Sequence, residues 1–207
     1  MTDVTQLTVP VQRWIARRRR HDVERHLGPG AGSTPSDVRI RGRRSHDLAA
    51  AARLLGLVVA EGQYPLPRPE SRRAWLTGPG IQDAWIAERD GELLGHIALS
   101  RVGLDAVSAM RWREVTGRAT ADLAGVSRFF VRSRVRGQGI GTSLLQAAVT
   151  EARARGLVPV AEMMSASRDG IRLYEKQGWR LAAMYPCGPR SASLEAYMYV
   201  LAAPKTR

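Results

Sequence analysis

The sequence predicts a mixed α/β (α+β) domain, and three observations carry that prediction. The apolar run Phe129-Phe130-Val131 breaks into a glycine-rich loop, Arg136-Gly137-Gln138-Gly139-Ile140-Gly141, and then opens a helix-like stretch from Thr142 to Arg155. A second short apolar run, Leu157 to Met164, follows Gly156 at once. Upstream, two strand-like runs, Ala84 to Glu88 and Glu92 to Ser100, flank Asp90-Gly91, a dipeptide suited to a tight hairpin turn.

Taken in order, residues 1 to about 36 read as an appendage. Pro10 can start a helix whose patchy apolar face is Val11, Trp14, Ile15, Val23 and Leu27, with Arg17 to Arg20 as a basic run and Gly28 as the stop. Gly28 to Pro35 has the composition of a linker. Val38-Arg39-Ile40-Arg41 alternates like a strand; Ser45-His46-Asp47 then precedes an alanine- and leucine-rich helix from Leu48 to Ala60, ended by Gly62. A short helix is expected from Glu70 to Leu76, before the hairpin. The segment from about Val102 to Leu123 is long for a hairpin link. In the helix Thr142–Arg155, one face carries Leu144, Leu145, Ala148, Val149 and Ala152. Strands Arg180 to Tyr185 and Leu194 to Leu201 close the chain around a Pro186-Cys187-Gly188-Pro189 loop. The element order is β-α-α-β-β-β-α-β-α-β-β.

A length of 207 residues suits one domain, or one with a tail. Cys187 is the lone cysteine, and the N-terminus has no apolar core behind positive charge, so a reduced cytoplasm is expected. The apolar stretch Leu48 to Ala60 is interrupted by Arg53 and too short to span a bilayer, so no membrane role is expected. The formal charge of +13 is almost all arginine; lysine occurs only at positions 176 and 205, and asparagine is absent. GC-rich codons explain the choice of arginine but not the excess over acids, which attracts polyanions such as RNA. The first 36 residues therefore suit a basic arm for RNA or a ribosome-like acidic partner. They equally suit a helix packed on the domain or on a second subunit in a homodimer, or a disordered tail. Charge runs are usually solvated, which puts the last readings ahead of nucleic acid.

A strand that breaks into a glycine-rich loop and opens a helix aims backbone N–H groups and a positive dipole end at one point. The loop reads as an anion cradle, against the plainer alternative of a strand-to-helix turn. A P-loop would need lysine where Gly141-Thr142-Ser143 stands, and a dinucleotide fingerprint would need a different glycine spacing.

Further on stands Ser165-Ala166-Ser167-Arg168-Asp169-Gly170-Ile171-Arg172-Leu173-Tyr174-Glu175-Lys176-Gln177-Gly178-Trp179. From Phe129 to Trp179 the chain resembles the acyl-CoA-binding core of the GNAT superfamily of N-acetyltransferases. Arg136, Gly139 and Gly141 match its R/Q-x-x-G-x-G/A motif, and Leu173-Tyr174-Glu175-Lys176 before Gly178-Trp179 is similar to its later signature. The resemblance covers about residues 37 to 203. It implies a central mixed, mostly antiparallel sheet flanked by helices and splayed between the strands at about 126–131 and 157–164. It also implies acetyl-CoA as co-substrate, no metal, and direct acetyl transfer to an amine of a small molecule or a peptide N-terminus.

Residue by residue, the resemblance implies that the pyrophosphate sits on amides of Arg136, Gly137, Gln138, Gly139, Ile140, Gly141 and Thr142. Phe129, Phe130 and Val131 match the strand whose exposed backbone pairs with pantetheine, with one amide near Val131 facing the thioester oxygen. Ser167 stands where an asparagine usually contacts pantetheine, or else caps its helix; Gly170 replaces the usual alanine. Tyr174 matches the tyrosine that hydrogen-bonds the departing sulfur. Ser127 occupies the register of a common catalytic glutamate and cannot serve as an ordinary base near neutral pH. Glu162 is placed like the catalytic glutamate of the ribosomal-protein alanine acetyltransferase branch, with a surface ion pair as its alternative. His96 is a third option for the base, or a structural histidine. Met110, Arg111, Trp112 and Arg113, with Gln63, Tyr64 and Trp75, are expected to wall the acceptor side, and arginines there favour an acceptor that also bears an acid group. The rival class is a non-catalytic acyl-CoA-binding sensor, or an RNA- or ribosome-associated protein using the basic arm.

Overall fold

The computed structural model describes residues 37–62, 64, 71–187 and 195–202. Readings made above for residues 1–36, Gln63, Glu70, Gly188, Pro189 and Leu194 lie outside the described residues. The strands are β1 (Arg39–Gly42), β2 (Ile81–Arg89), β3 (Glu92–Ser100), β4 (Leu123–Val131), β5 (Val158–Met164), β6 (Arg180–Pro186) and β7 (Glu195–Val200). The helices are α1 (Leu48–Ala60), α2 (Arg72–Leu76), α3 (Ala106–Thr116), α4 (Ile140–Ala154) and α5 (Arg168–Lys176). The strands form one sheet in the order β1-β2-β3-β4-β5-β7-β6. Among the described residues every neighbouring pair is antiparallel except β4 with β5.

Local chemistry explains most of these elements. Asp90 (φ 49°) and Gly91 (φ 77°) both take the left-handed turn that joins β2 to β3, a conformation this dipeptide tolerates. The first strand is held by a fork of charges. Arg41 donates from both terminal nitrogens to Asp47, at 2.7 and 2.9 Å, and from Nε and Nη2 to Glu88 on β2. Asp47 therefore spends its carboxylate on Arg41 and on the Arg44 N–H rather than on the first turn of α1, and Arg41 holds its carboxyl down at about 2.

Side chains alternate along β4 and β5, so the two faces of the sheet carry separate cores. Ala124, Val126 and Ala161 pack with Ile140, Leu144, Leu145, Ala148 and Ala152 of α4 and with Ile171 and Tyr174 of α5. Leu123 and Val160 point the other way, to Trp112 of α3, while Phe130 joins Ile86, Leu93 and the helices α1 and α2.

The helix α3 was not expected. Asp105 caps it, accepting the Ser108 N–H at 2.9 Å, and Gly117 (φ 66°) closes it. Only Trp112 is buried, so apolar periodicity gave no signal there. Trp112 consequently belongs to the core and not to an acceptor wall, whereas Met110 is exposed.

Candidate active site at the parting of β4 and β5

The parallel pair β4–β5 runs from Leu123↔Val158 to Val126↔Ala161 and stops. Beyond that point Ser127, Phe130 and Val131 pair with β3, and Glu162 to Met164 pair with β7. The two strands part, leaving a gap. Arg132 N–H bonds the Leu94 carbonyl, so Phe130 is in a hydrogen-bonded pair with His96 and turns its N–H toward β3. Strand alternation then turns the N–H groups of Phe129 and Val131 into the gap.

One residue before them β4 bulges. Ser127 pairs with Ala98 and Phe130 with His96, so Arg128 and Phe129 together oppose Ile97, and Arg128 takes φ 49°. His96 lies beneath this bulge, fully buried. Its Nδ1 donates to the Arg128 carbonyl at 2.8 Å, and its Nε2 accepts from Arg43 Nη1 at 2.9 Å. Burial, with Arg43 and Arg128 adding to it, holds the imidazole neutral and pushes its pKa down to about 4. Both ring nitrogens are occupied, so His96 is no free base.

At one end of the gap stands the glycine loop. Gly137 and Gly139 both take φ 79°, where a β-carbon is strained. Gly139 is the cap residue of α4, which begins at Ile140, two positions earlier than its sequence start at Thr142 suggested. The N–H groups of Ile140, Gly141 and Thr142 fall in the first turn, where a helix supplies no acceptor; Ser143 N–H is the first to reach back, to Gly139 at 3.0 Å. A β-carbon on Gly141 would come within 3.3 Å of Leu173 and 3.5 Å of Phe129. Arg136 reaches Asp169 in the first turn of α5 at 3.2 Å, tying the loop to that helix.

Ser167 occupies the cap position of α5, yet its hydroxyl makes no capping bond. A β-carbon on Gly170 would lie 3.3 Å from Met163 Sδ, a tight contact with a side chain. Tyr174 is 2 % exposed, its ring edge-on to Trp179 and Phe129 with centroids 4.6 and 6.3 Å away. Burial pushes its phenol well above the ordinary tyrosine range.

Glu162, the first residue of β5 past the parting, is exposed and accepts a hydrogen bond from the Tyr185 hydroxyl. The Arg111 guanidinium of α3 lies 3.9 Å from the centre of the Tyr185 ring. Neither contact was legible in the sequence, because β7 stands between β5 and β6 and the tyrosine reaches across it. Tyr64 and Trp75 meet edge-on at 5.7 Å, and Arg128 covers the Trp75 ring at 4.8 Å. Ser127 Oγ is buried with no hydrogen-bond partner, as is Trp179 Nε1 against Tyr174. An orphaned buried hydroxyl at the mouth of a gap is the mark of a place that receives another polar group.

A sheet parted between two parallel strands, with gap-facing amides and a helix-opening glycine loop, defines a class of acyl-group transferases. Residues 52–179 match the family model "Acetyltransferase (GNAT) family", and the chain belongs to that family. It is 31% identical over 121 residues to the L-methionine sulfoximine/L-methionine sulfone acetyltransferase of Pseudomonas paraeruginosa, a match covering 56% of this chain and 62% of that protein. The chain thus spans under two thirds of that curated relative's length. Among solved structures, the ribosomal-protein-alanine N-acetyltransferase of Brucella melitensis superposes with TM-score 0.62 at 22% identity, over 78% of this chain and 98% of that one. A Salmonella typhimurium protein solved with its cofactor acetyl-CoA gives TM-score 0.61 at 22% identity, over 83% and 96% of the chains. These two likenesses concern the fold. No described helix is long and apolar enough to cross a membrane.

Proposed function

We propose that the chain transfers an acetyl group from acetyl-CoA directly to a primary amine, in a ternary complex. In this reading residues 37–203 form the transferase domain and residues 1–36 an appended basic extension. The observation that carries it is the parting of β4 from β5 after Val126↔Ala161, with the Gly137–Gly139 turn at one end and Tyr174 alongside.

The fit to acetyl-CoA rests on four features. The loop from Arg136 to Thr142 offers first-turn N–H groups and no β-carbon at the left-handed positions, which suits a pyrophosphate. Along Phe129, Phe130 and Val131 the N–H groups of Phe129 and Val131 face the gap, free of β3, for the carbonyls of pantetheine and for the thioester oxygen. Ser167 has a hydroxyl not used in capping and therefore able to bond pantetheine. Tyr174 is the group for the departing sulfur. Tyrosine and thiol ordinarily titrate near about 10 and about 8.5, and burial widens that difference, so Tyr174 donates a hydrogen bond to the thiolate rather than a proton.

Glu162 takes the proton of the attacking ammonium, directly or through a water at Ser127 Oγ. The nucleophile is then a neutral amine, and the developing oxyanion faces the Phe129 amide. The methionine sulfoximine and sulfone named for the curated relatives are amino acids, and the guanidinium groups of Arg111 and Arg128 suit an acceptor with an acid group beside its amine.

Calorimetric titration with acetyl-CoA and CoA, on the wild type and on Gly139→Glu, tests the reading. Binding that the glutamate abolishes supports it and opens an acceptor screen by thiol release, starting with L-methionine sulfone. A folded wild type that binds neither nucleotide overturns it.

A further inference from the structure

We infer that His96, fixed by Arg43, is a positioning residue that aims the Phe129 amide at the thioester oxygen; this rests on the acetyl-CoA reading above. In a regular antiparallel pair the carbonyls of β4 facing β3 would be satisfied by backbone N–H groups. The bulge breaks that ladder at Arg128, and its carbonyl bonds a side chain instead: His96 Nδ1, at 2.8 Å. The peptide joining Arg128 to Phe129 is trans and planar, so its N–H points opposite to its C=O. Anchoring the carbonyl on β3 therefore fixes the Phe129 N–H toward the gap.

The anchor is itself braced. A carbonyl can only accept, so Nδ1 carries the proton and Nε2 accepts from Arg43, which also donates to the Leu76 carbonyl at 2.9 Å and so ties the imidazole to the end of α2. The ring stacks on Phe130 with centroids 5.1 Å apart and planes 12° apart. Arg128, a non-glycine residue at φ 49°, is further held by its Nε on the Trp75 carbonyl at 3.3 Å. A conformation this unfavourable persists only where its surroundings enforce it. Here the enforcing group is a buried imidazole that touches neither substrate.

The test is the infrared carbonyl stretch of acetyl-CoA labelled with carbon-13 at the thioester carbon, bound to the wild type, His96→Leu and His96→Asn. Calorimetry gives the acetyl-CoA affinity of each. The wild type should polarise the carbonyl and lower its frequency relative to free acetyl-CoA. His96→Leu should lose at least half of that shift while its affinity changes less than about threefold; His96→Asn, whose amide can replace the Nδ1 donor, should restore most of it. A folded His96→Leu with the wild-type shift overturns the inference, as does equal loss of shift and affinity in both variants. If His96→Leu does not fold, Arg43→Met serves instead: a reduced shift supports the inference, and a wild-type shift overturns it. Failure of the wild type to bind overturns the proposed function and this inference with it, whereas a folded His96→Leu that binds and keeps the wild-type shift overturns the inference alone.

Discussion

Changing Tyr174 to Phe removes one hydroxyl from a packed aromatic cluster and leaves the Trp179 and Phe129 contacts in place. Turnover should fall about 10- to 100-fold, through loss of one hydrogen bond to a charged leaving group, while CoA affinity stays within about twofold. Steady-state rates beside calorimetry check this, and unchanged turnover would remove Tyr174 from the reaction. His96 makes a second prediction. An unfolded chain binds its proton below about 6.5, whereas the folded protein resists it down to about 4. Stability attributable to His96, whose neighbours Arg43 and Arg128 oppose its protonation, is complete above the unfolded value and falls as pH drops through this window. The loss is up to about 3 kcal/mol. Urea unfolding at pH 7.5 and 4.5 should show it in the wild type and not in His96→Asn. At this scale the sequence pointed to the glycines through their spacing, and to Tyr174 and Glu162 through the resemblance to the acetyltransferase family. It was silent on the Tyr185 hydroxyl and on the partnerless burial of Ser127 Oγ, because both are defined by which strands lie side by side.

Among the elements, α3 is the instructive case. A helix bound by one tryptophan leaves little periodicity, and its true signals were the cap residues Asp105 and Gly117. Asp105→Ala should cost about 1 kcal/mol, read as a lower urea midpoint, and a smaller effect would mean that tertiary contacts alone hold α3. The helices α1 and α4 were legible because their apolar faces are buried, and the β2–β3 hairpin because its turn dipeptide is specific. The bulge at Arg128 was not, since nothing local marks a left-handed arginine inside an apolar run.

For the whole molecule, the formal charge of +13 favours any polyanion, so in the proposed reading it is the cradle that selects CoA among them. A chain starting at residue 37 should retain acetyl-CoA binding, and salt-sensitive RNA binding, if the full chain has any, should vanish with the extension. Loss of acetyl-CoA binding on truncation would place part of residues 1–36 in the transferase domain.

The parting of β4 from β5 makes the sheet two half-sheets joined by only four facing residue pairs, Leu123↔Val158 to Val126↔Ala161. Two inner strand edges consequently face each other across an opening too wide for them to satisfy one another, an exposure that sheets ordinarily avoid. A ligand with its own amides can lie there as a borrowed strand and close the seam. At a concentration about 100 times its dissociation constant it adds roughly 2.7 kcal/mol to stability. The protein should therefore be slowest to aggregate, and its gap-lining amides slowest to exchange hydrogen, when that borrowed strand is in place.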